Sequence, residues 1–170
     1  KSNDLTSLKG IEVAKNLRWL DAASNDITSM SGMTNMPSLE WVDLSNNDMT
    51  SLKGLSWCPR LTWLNLHHND LTSLAGIEHL PSLMKLVASS NDLSSVKGLS
   101  QCRNLREVDL HSNDLTDADS VIAMAEGCPQ LQFLDLRDND FSASQIERIR
   151  AAFGGSRKVP ITLLTDKKGG

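Results

Sequence analysis

The stretch LTWLNLHHNDL, residues 61–71, decides the architecture. Leu61, Leu64, Leu66 and Leu71 frame Asn69, and the same frame returns as Leu131, Leu134, Leu136, Asn139 and Phe141. Around it the dipeptide Asn-Asp recurs at Asn3, Asn25, Asn47, Asn69, Asn91, Asn113 and Asn139, in steps of 22 residues with a last step of 26. Glycine keeps the period at Gly10, Gly32, Gly54, Gly76 and Gly98. A fixed period of about 20–50 residues marks an array of like units, each unable to bury its apolar face alone.

One unit follows from elementary geometry. Trp63, Leu64 and Asn65 read as a short strand in which alternation turns Leu64 inward and its two neighbours outward. Repeating that strand builds a parallel sheet along one face. The chain must then turn, and a buried Asn there satisfies backbone groups that the turn leaves unpaired, so stacked copies predict an asparagine ladder. On the return path Leu8, Met30, Leu52, Leu74 and Val96 form one inward column, and Ile11, Met33, Leu55, Ile77 and Leu99 another. Returns this short favour extended or 3₁₀ segments over full helices. The expected array curves, with its strands on the concave face.

In this motif and period the whole chain resembles the short, 22-residue class of leucine-rich repeats, found in the nuclear regulatory subunit of protein phosphatase 1, the leucine-rich light chain of outer-arm dynein and the bacterial internalins. The resemblance implies an α/β fold, a leucine-rich repeat solenoid, and a protein-binding scaffold. More narrowly, it implies a regulatory or targeting subunit or a motor-associated light chain.

The two ends depart from the average unit. Only Lys1 and Ser2 precede Asn3, so the first repeat lacks its strand. A solenoid does not leave its terminal layer open, and the expectation is a fragment of a longer chain or a cap supplied by a missing segment. Toward the other end, the lengthened repeat offers a helix over 119–126. Ile146, Ile149, Ala152 and Phe153 predict an amphipathic helix over 144–153, stopped by Gly154 and Gly155. Ile161, Leu163 and Leu164 read as a closing strand. The expected organisation is a repeat array over 1–142, a capping helix and strand over 143–165, and a tail over 166–170.

A chain of 170 residues suits one domain, and 39% hydrophobic with 22% charged residues excludes disorder and a membrane-spanning class. No apolar run is long enough for an anchor and no signal-peptide pattern opens the chain, so no membrane partner is expected. With 21 acidic against 17 basic residues, the net charge of −4 offers no long-range attraction to nucleic acid and favours a basic partner. Cys58, Cys102 and Cys128 share an apolar column with Ala14, Met36 and Leu80, which makes them structural thiols. Cys58 and Cys102 stand two repeats apart, roughly 10 Å and too far to bridge, leaving only Cys102 and Cys128 close enough to consider. With no Asn-x-Ser/Thr sequence, this favours an intracellular, cytoplasmic setting.

Function is expected on the outward columns of the sheet. The position before each central strand residue reads Trp19, Trp41, Trp63, Lys85, Glu107 and Phe133. Strands about 4.8 Å apart would merge three indoles into one apolar strip, and Trp is among the commonest hot-spot residues. The alternatives are that the indoles only stack on one another and stiffen the sheet, or that a missing segment covers them. One position later the column reads Asp21, Asp43, Asn65, Val87, Asp109 and Asp135. Together with Glu107, these carboxylates edge the strip and suit Arg or Lys side chains. His67 and His111 share a further outward column. A second acidic file, Asp4, Asp26, Asp48, Asp70, Asp92, Asp114 and Asp140, follows the asparagines and reads as turn chemistry in which Asp bonds nearby backbone N–H groups.

No metal site is expected from His67 and His111, since repeats roughly 10 Å apart cannot share one ion, and no cofactor is implied. Nucleophile, base and orienting group do not converge on an open sheet, so the chain is read as no enzyme. The expected function is a protein-binding scaffold or regulatory module. It would grip a basic partner protein through Trp19, Trp41, Trp63, Phe133, Asp21, Asp43, Asp109, Asp135, Glu107, His67 and His111. The alternatives are an internalin-like bacterial adhesin and the recognition domain of a larger enzyme whose catalytic part lies outside these residues.

Overall fold

Each repeat contributes a three-residue strand, and the computed structural model, which describes residues 3–55, 58–155 and 159–166, places them at the expected register. They are β1 (Trp19–Asp21), β2 (Trp41–Asp43), β3 (Trp63–Asn65), β4 (Lys85–Val87), β5 (Glu107–Asp109), β6 (Phe133–Asp135) and the terminal β7 (Thr162–Leu164). All seven pair in sequence order as one parallel sheet. Register runs residue on residue, with Trp19 beside Trp41 and Trp41 beside Trp63, so every column of the sequence is a physical column. Val42, Leu64, Leu86, Val108 and Leu134 point inward and are fully buried. Trp57, which the sequence puts on the return path, lies outside the described residues, as do Lys1, Ser2 and all of the expected tail except Asp166.

The return path is as short as the period demands. Met30, Met33, Leu52, Leu55, Leu74, Ile77, Val96 and Leu99 are buried in their two columns, and 3₁₀ turns form at Ile11–Val13, Ile77–His79 and Leu99–Gln101. A full helix appears where the repeat lengthens, as α1 (Ala118–Gly127), with the Asp117 side chain accepting from the Ser120 N–H as its cap. The second helix, α2 (Ala143–Phe153), opens with a capping box between Ser142 and Gln145 and buries Ile146, Ile149 and Phe153. Phe141 is only partly buried. In the first repeat Leu5 and Val13 are exposed, and Ala14 does not join the buried column of Met36, Cys58, Leu80, Cys102 and Cys128. The three thiols meet backbone carbonyls one repeat back, Cys58 at Met33, Cys102 at Ile77 and Cys128 at Leu99, and none is in a disulfide. Burial pushes the Cys58 and Cys102 thiols up to about 11, which suits structural and not reactive sulfur.

The asparagine ladder is present and doubly anchored. Asn69 Nδ2 donates to Leu66 O (3.1 Å) and His67 O (3.4 Å) of its own turn and to Leu44 O (3.0 Å) of the preceding repeat. Its Oδ1 accepts the Met49 N–H at 3.0 Å, again one repeat back. Asn47, Asn91, Asn113 and Asn139 repeat this pattern. The residue before each Asn, at Ser24, Asn46, His68, Ser90, Ser112 and Asp138, takes a left-handed φ of 53–57°, which swings the Asn side chain under the sheet.

The second acidic file behaves differently from the expectation. No side-chain hydrogen bond is formed by Asp26, Asp48, Asp70, Asp92, Asp114 or Asp140 among the described residues; instead their backbone N–H groups donate one repeat back, as Asp70 does to Met49 O at 3.0 Å. The amide of the neighbouring Asn already occupies the groups the turn leaves open, so nothing remains for the carboxylate to bond.

Asn69→Ala is expected to destabilise the chain by roughly 3 kcal/mol, and Asn69→Asp by no less, because a carboxylate cannot donate to three carbonyls. Urea unfolding measures both; a loss below about 0.5 kcal/mol in either would refute the ladder's role. Gly54 and Gly10 share left-handed backbones (φ +100° and +97°), but a Cβ on Gly54 would lie 2.7 Å from the Met30 carbonyl carbon while one on Gly10 meets no atom within 4 Å. Gly10→Ala should therefore cost about 1 kcal/mol of backbone strain and Gly54→Ala clearly more. Equal losses would show that the close approach of the two repeats adds nothing.

Candidate partner-binding face

Of the three tryptophans in the outward column, two form a stack. Trp41 and Trp63 lie with ring centroids 4.5 Å apart and planes 4° from parallel. Rings stacked along the array turn their edges, not their faces, to the concave side, so both are half-buried and the strip is stiff. Trp19, on the edge strand β1, is 63% exposed. Its ring carries the Arg18 guanidinium 5.1 Å from the centroid, and Arg18 is itself forked onto Glu40 through contacts of 2.8–3.1 Å. Further along the column Lys85 Nζ meets Glu107 at 2.6 Å, and Phe133 lines a hollow of about 120 Å³ with Lys85, Val87, Glu107 and Asp109.

The acidic file has a local cause. At the ends of β1, β2, β3, β5 and β6 the last residue folds its side-chain oxygen onto the N–H two positions later: Asp21 onto Ala23 (3.3 Å), Asp43 onto Ser45 (2.9 Å), Asn65 onto His67 (3.0 Å), Asp109 onto His111 (3.1 Å) and Asp135 onto Arg137 (3.1 Å). These are Asx turns that close those strands. Val87 cannot make one, and in that repeat the Ser89 hydroxyl is buried and meets His67 Nδ1 at 2.9 Å. Ser45, Ser89 and Arg137 carry no signal as single residues; their spacing of two from the file was the available clue.

At β5 and β6 the turns interlock. His111 Nδ1 lies 2.7 Å from the Asp109 carboxylate. Asp135, only 3% exposed, receives the Arg137 side chain on both oxygens, with Nη2 at 2.6 Å. Burial would raise the Asp135 carboxyl, but the Arg137 side-chain bonds, its backbone N–H and its charge together hold it below the usual carboxylate range. The His67 and His111 rings approach to 6.5 Å, nearer than the two-repeat spacing suggested, because the side chains lean together across the intervening repeat. Donor atoms of Asp109, His111 and Asp135 all fall within 4.8 Å of one another. These three come from adjacent repeats, so the two-repeat spacing that separates His67 from His111 does not apply to them.

The face thus divides. In its β4–β6 half Lys85 and Arg137 are paired with Glu107 and Asp135, and in its β1–β3 half Trp19, Trp41 and Trp63 adjoin Asp21 and Asp43. Among the described residues no helix is long and apolar enough to cross a membrane.

A family profile described as leucine rich repeat matches residues 15–71, and a second of the same description matches residues 101–119. The chain folds as a leucine-rich repeat solenoid. It is similar to an internalin of Listeria monocytogenes, with 20% identity over 94% of this chain and 46% of that one and a TM-score of 0.74. A leucine-rich repeat protein of Leptospira interrogans is 28% identical over 89% of this chain and 38% of its own, again with a TM-score of 0.74. TLR13, solved in complex with ssRNA13, is 24% identical over 81% of this chain and 21% of its own, with a TM-score of 0.68. The chain spans less than half the length of each of these three. No curated protein matches it.

Folding lowers the Asp135 pKa, so the stability it contributes is present above the unfolded value of about 4 and is lost as pH falls through the folded value. Asp135→Asn is expected to flatten the fall of Tm with pH below about 4. Superimposable acid limbs for the two proteins would mean that Asp135 does not contribute.

Proposed function

We propose that this solenoid is a protein-binding module whose concave face takes a partner through Trp19, Trp41 and Trp63, with Asp21 and Asp43 matching basic residues on that partner. One observation carries this reading: three indoles stand in one outward column, and one of them is 63% exposed. Edge-on, Trp41 and Trp63 offer apolar surface, while Trp19 offers a ring face for cation contact, where Arg18 already shows the geometry. Pairing of Lys85 and Arg137 within the face supports a protein over a nucleic acid, because neither cation is left for phosphate. Phe133, Glu107, Asp109, Asp135, His67 and His111 would form the second half of the contact. A regulatory or targeting role in a reducing, intracellular compartment accords with three buried thiols. An adhesin is the competing reading, and the fold shared with an internalin favours it.

The cleanest probe is Trp19→Ala, since Trp19 lies outside the stack. It should leave stability within about 0.5 kcal/mol and weaken partner binding at least about tenfold, whereas the Trp41→Ala, Trp63→Ala double variant loses both. Pull-down followed by affinity measurement on the recovered partner, with thermal melts in parallel, separates these effects. Full binding by both variants would reduce the column to sheet packing. If Asp21 and Asp43 steer the partner, the association rate should fall as salt rises, while a salt-indifferent rate removes the electrostatic half of the proposal.

A further inference from the structure

The parallel register of β5 and β6 sets Asp109 beside Asp135, and the two Asx turns that follow bring His111 and Arg137 back over these carboxylates. Two carboxylates and one imidazole present donor atoms within 4.8 Å of one another. One ion with ligands at about 2.0–2.2 Å draws such atoms together by small side-chain rotations. His111 Nδ1 and Asp109 Oδ1 are 2.7 Å apart, a hydrogen bond in which the imidazole proton sits on Nδ1; for both atoms to bind one ion that proton moves to Nε2 and the contact opens, while Asp109 Oδ2 remains as a second donor.

A second observation is independent of that spacing. Asp135 is a buried carboxylate, and its charge is balanced by Arg137, whose own side chain is 52% exposed. The fold therefore holds a cation at Asp135, supplied by a side chain that reaches in from solvent and can leave at little cost in packing. Asp109 also borders the hollow of about 120 Å³ that it shares with Lys85, Val87, Glu107 and Phe133.

We propose that Asp109, His111 and Asp135 form a site for a divalent ion of the zinc class, with Arg137 as the built-in cation that occupies Asp135 until the ion displaces it. An imidazole with two carboxylates suits zinc better than calcium or magnesium, which prefer all-oxygen shells. The three thiols are not competitors, since they are buried and bonded to carbonyls in the core. This site is separate from the tryptophan half of the face and stands or falls without it.

The test is calorimetric titration of the chelator-stripped chain with zinc chloride, with melts in chelator and in zinc. Wild type should bind one zinc, His111→Ala should bind it at least about tenfold more weakly, and Arg137→Gln should bind it about tenfold more tightly. In chelator Arg137→Gln should melt below wild type, because Asp135 is left buried without its cation, and zinc should raise its Tm by more than it raises that of wild type. No zinc binding in wild type and Arg137→Gln overturns the proposal. So does wild-type affinity in His111→Ala, which would assign the ion to the other histidines, or an Arg137→Gln variant that binds no more tightly than wild type.

Discussion

The ladder of asparagines holds the molecule in register, and the rest of the structure depends on it. A three-residue strand supplies few hydrogen bonds, so a sheet of such strands has little of its own to prevent neighbours from slipping. Asn69 removes that freedom by reaching both into its own turn and back to Leu44 and Met49 of the preceding repeat. Each amide bridges two repeats and sits in a place defined by the left-handed residue before it. Since the same bridge recurs at Asn47, Asn91, Asn113 and Asn139, a residue's column is fixed by its distance from the nearest ladder asparagine. The concave face is then a surface whose columns are set by the interior.

Closing five of the strands with an Asx turn gives the outward carboxylates a double character. Asp43 spends one oxygen on Ser45, through both the N–H and the hydroxyl, but retains its charge and further lone pairs. A file of acids is thereby maintained by backbone chemistry whether or not a partner needs it. What distinguishes one repeat from the next is the residue two places on: serine at 45, histidine at 111, arginine at 137. That position decides whether the acid stays open, meets an imidazole or is neutralised, and it divides the face into an aromatic half and a self-paired half.

Much of this was legible in the sequence because a 22-residue period maps each residue onto one inward or outward column. Leu64 buried, the Asn69 ladder, the 3₁₀ returns and the helices near 119–126 and 144–153 all follow from the period, the lengthened last repeat and the apolar spacing of Ile146, Ile149, Ala152 and Phe153. Illegible were relations that depend on rotamers between neighbouring strands. Nothing in the spacing of Trp41 and Trp63 says that their planes lie 4° from parallel while Trp19 turns to Arg18. Spacing alone likewise overestimated the gap between His67 and His111 and hid the approach of His111 to Asp135. The post-asparagine acids misled for a different reason: Asp is a good turn former, but here the adjacent Asn had already taken the turn's open groups.

The two cation pairs of the β4–β6 half show how differently the same charges act at different depths. Lys85 and Glu107 are both substantially solvent-exposed, and such a pair contributes about 0–1 kcal/mol. Its effect is on the potential of the face, which it neutralises. Asp135 is in the opposite position, because its carboxylate is enclosed and would be costly to leave without a cation. Arg137 satisfies it from the surface, so the buried charge is stabilised by a group that water can also reach. A fold-stabilising contact and an exchangeable one are therefore the same contact, and at that point the interior requirements of the solenoid and the chemistry of its outer face meet.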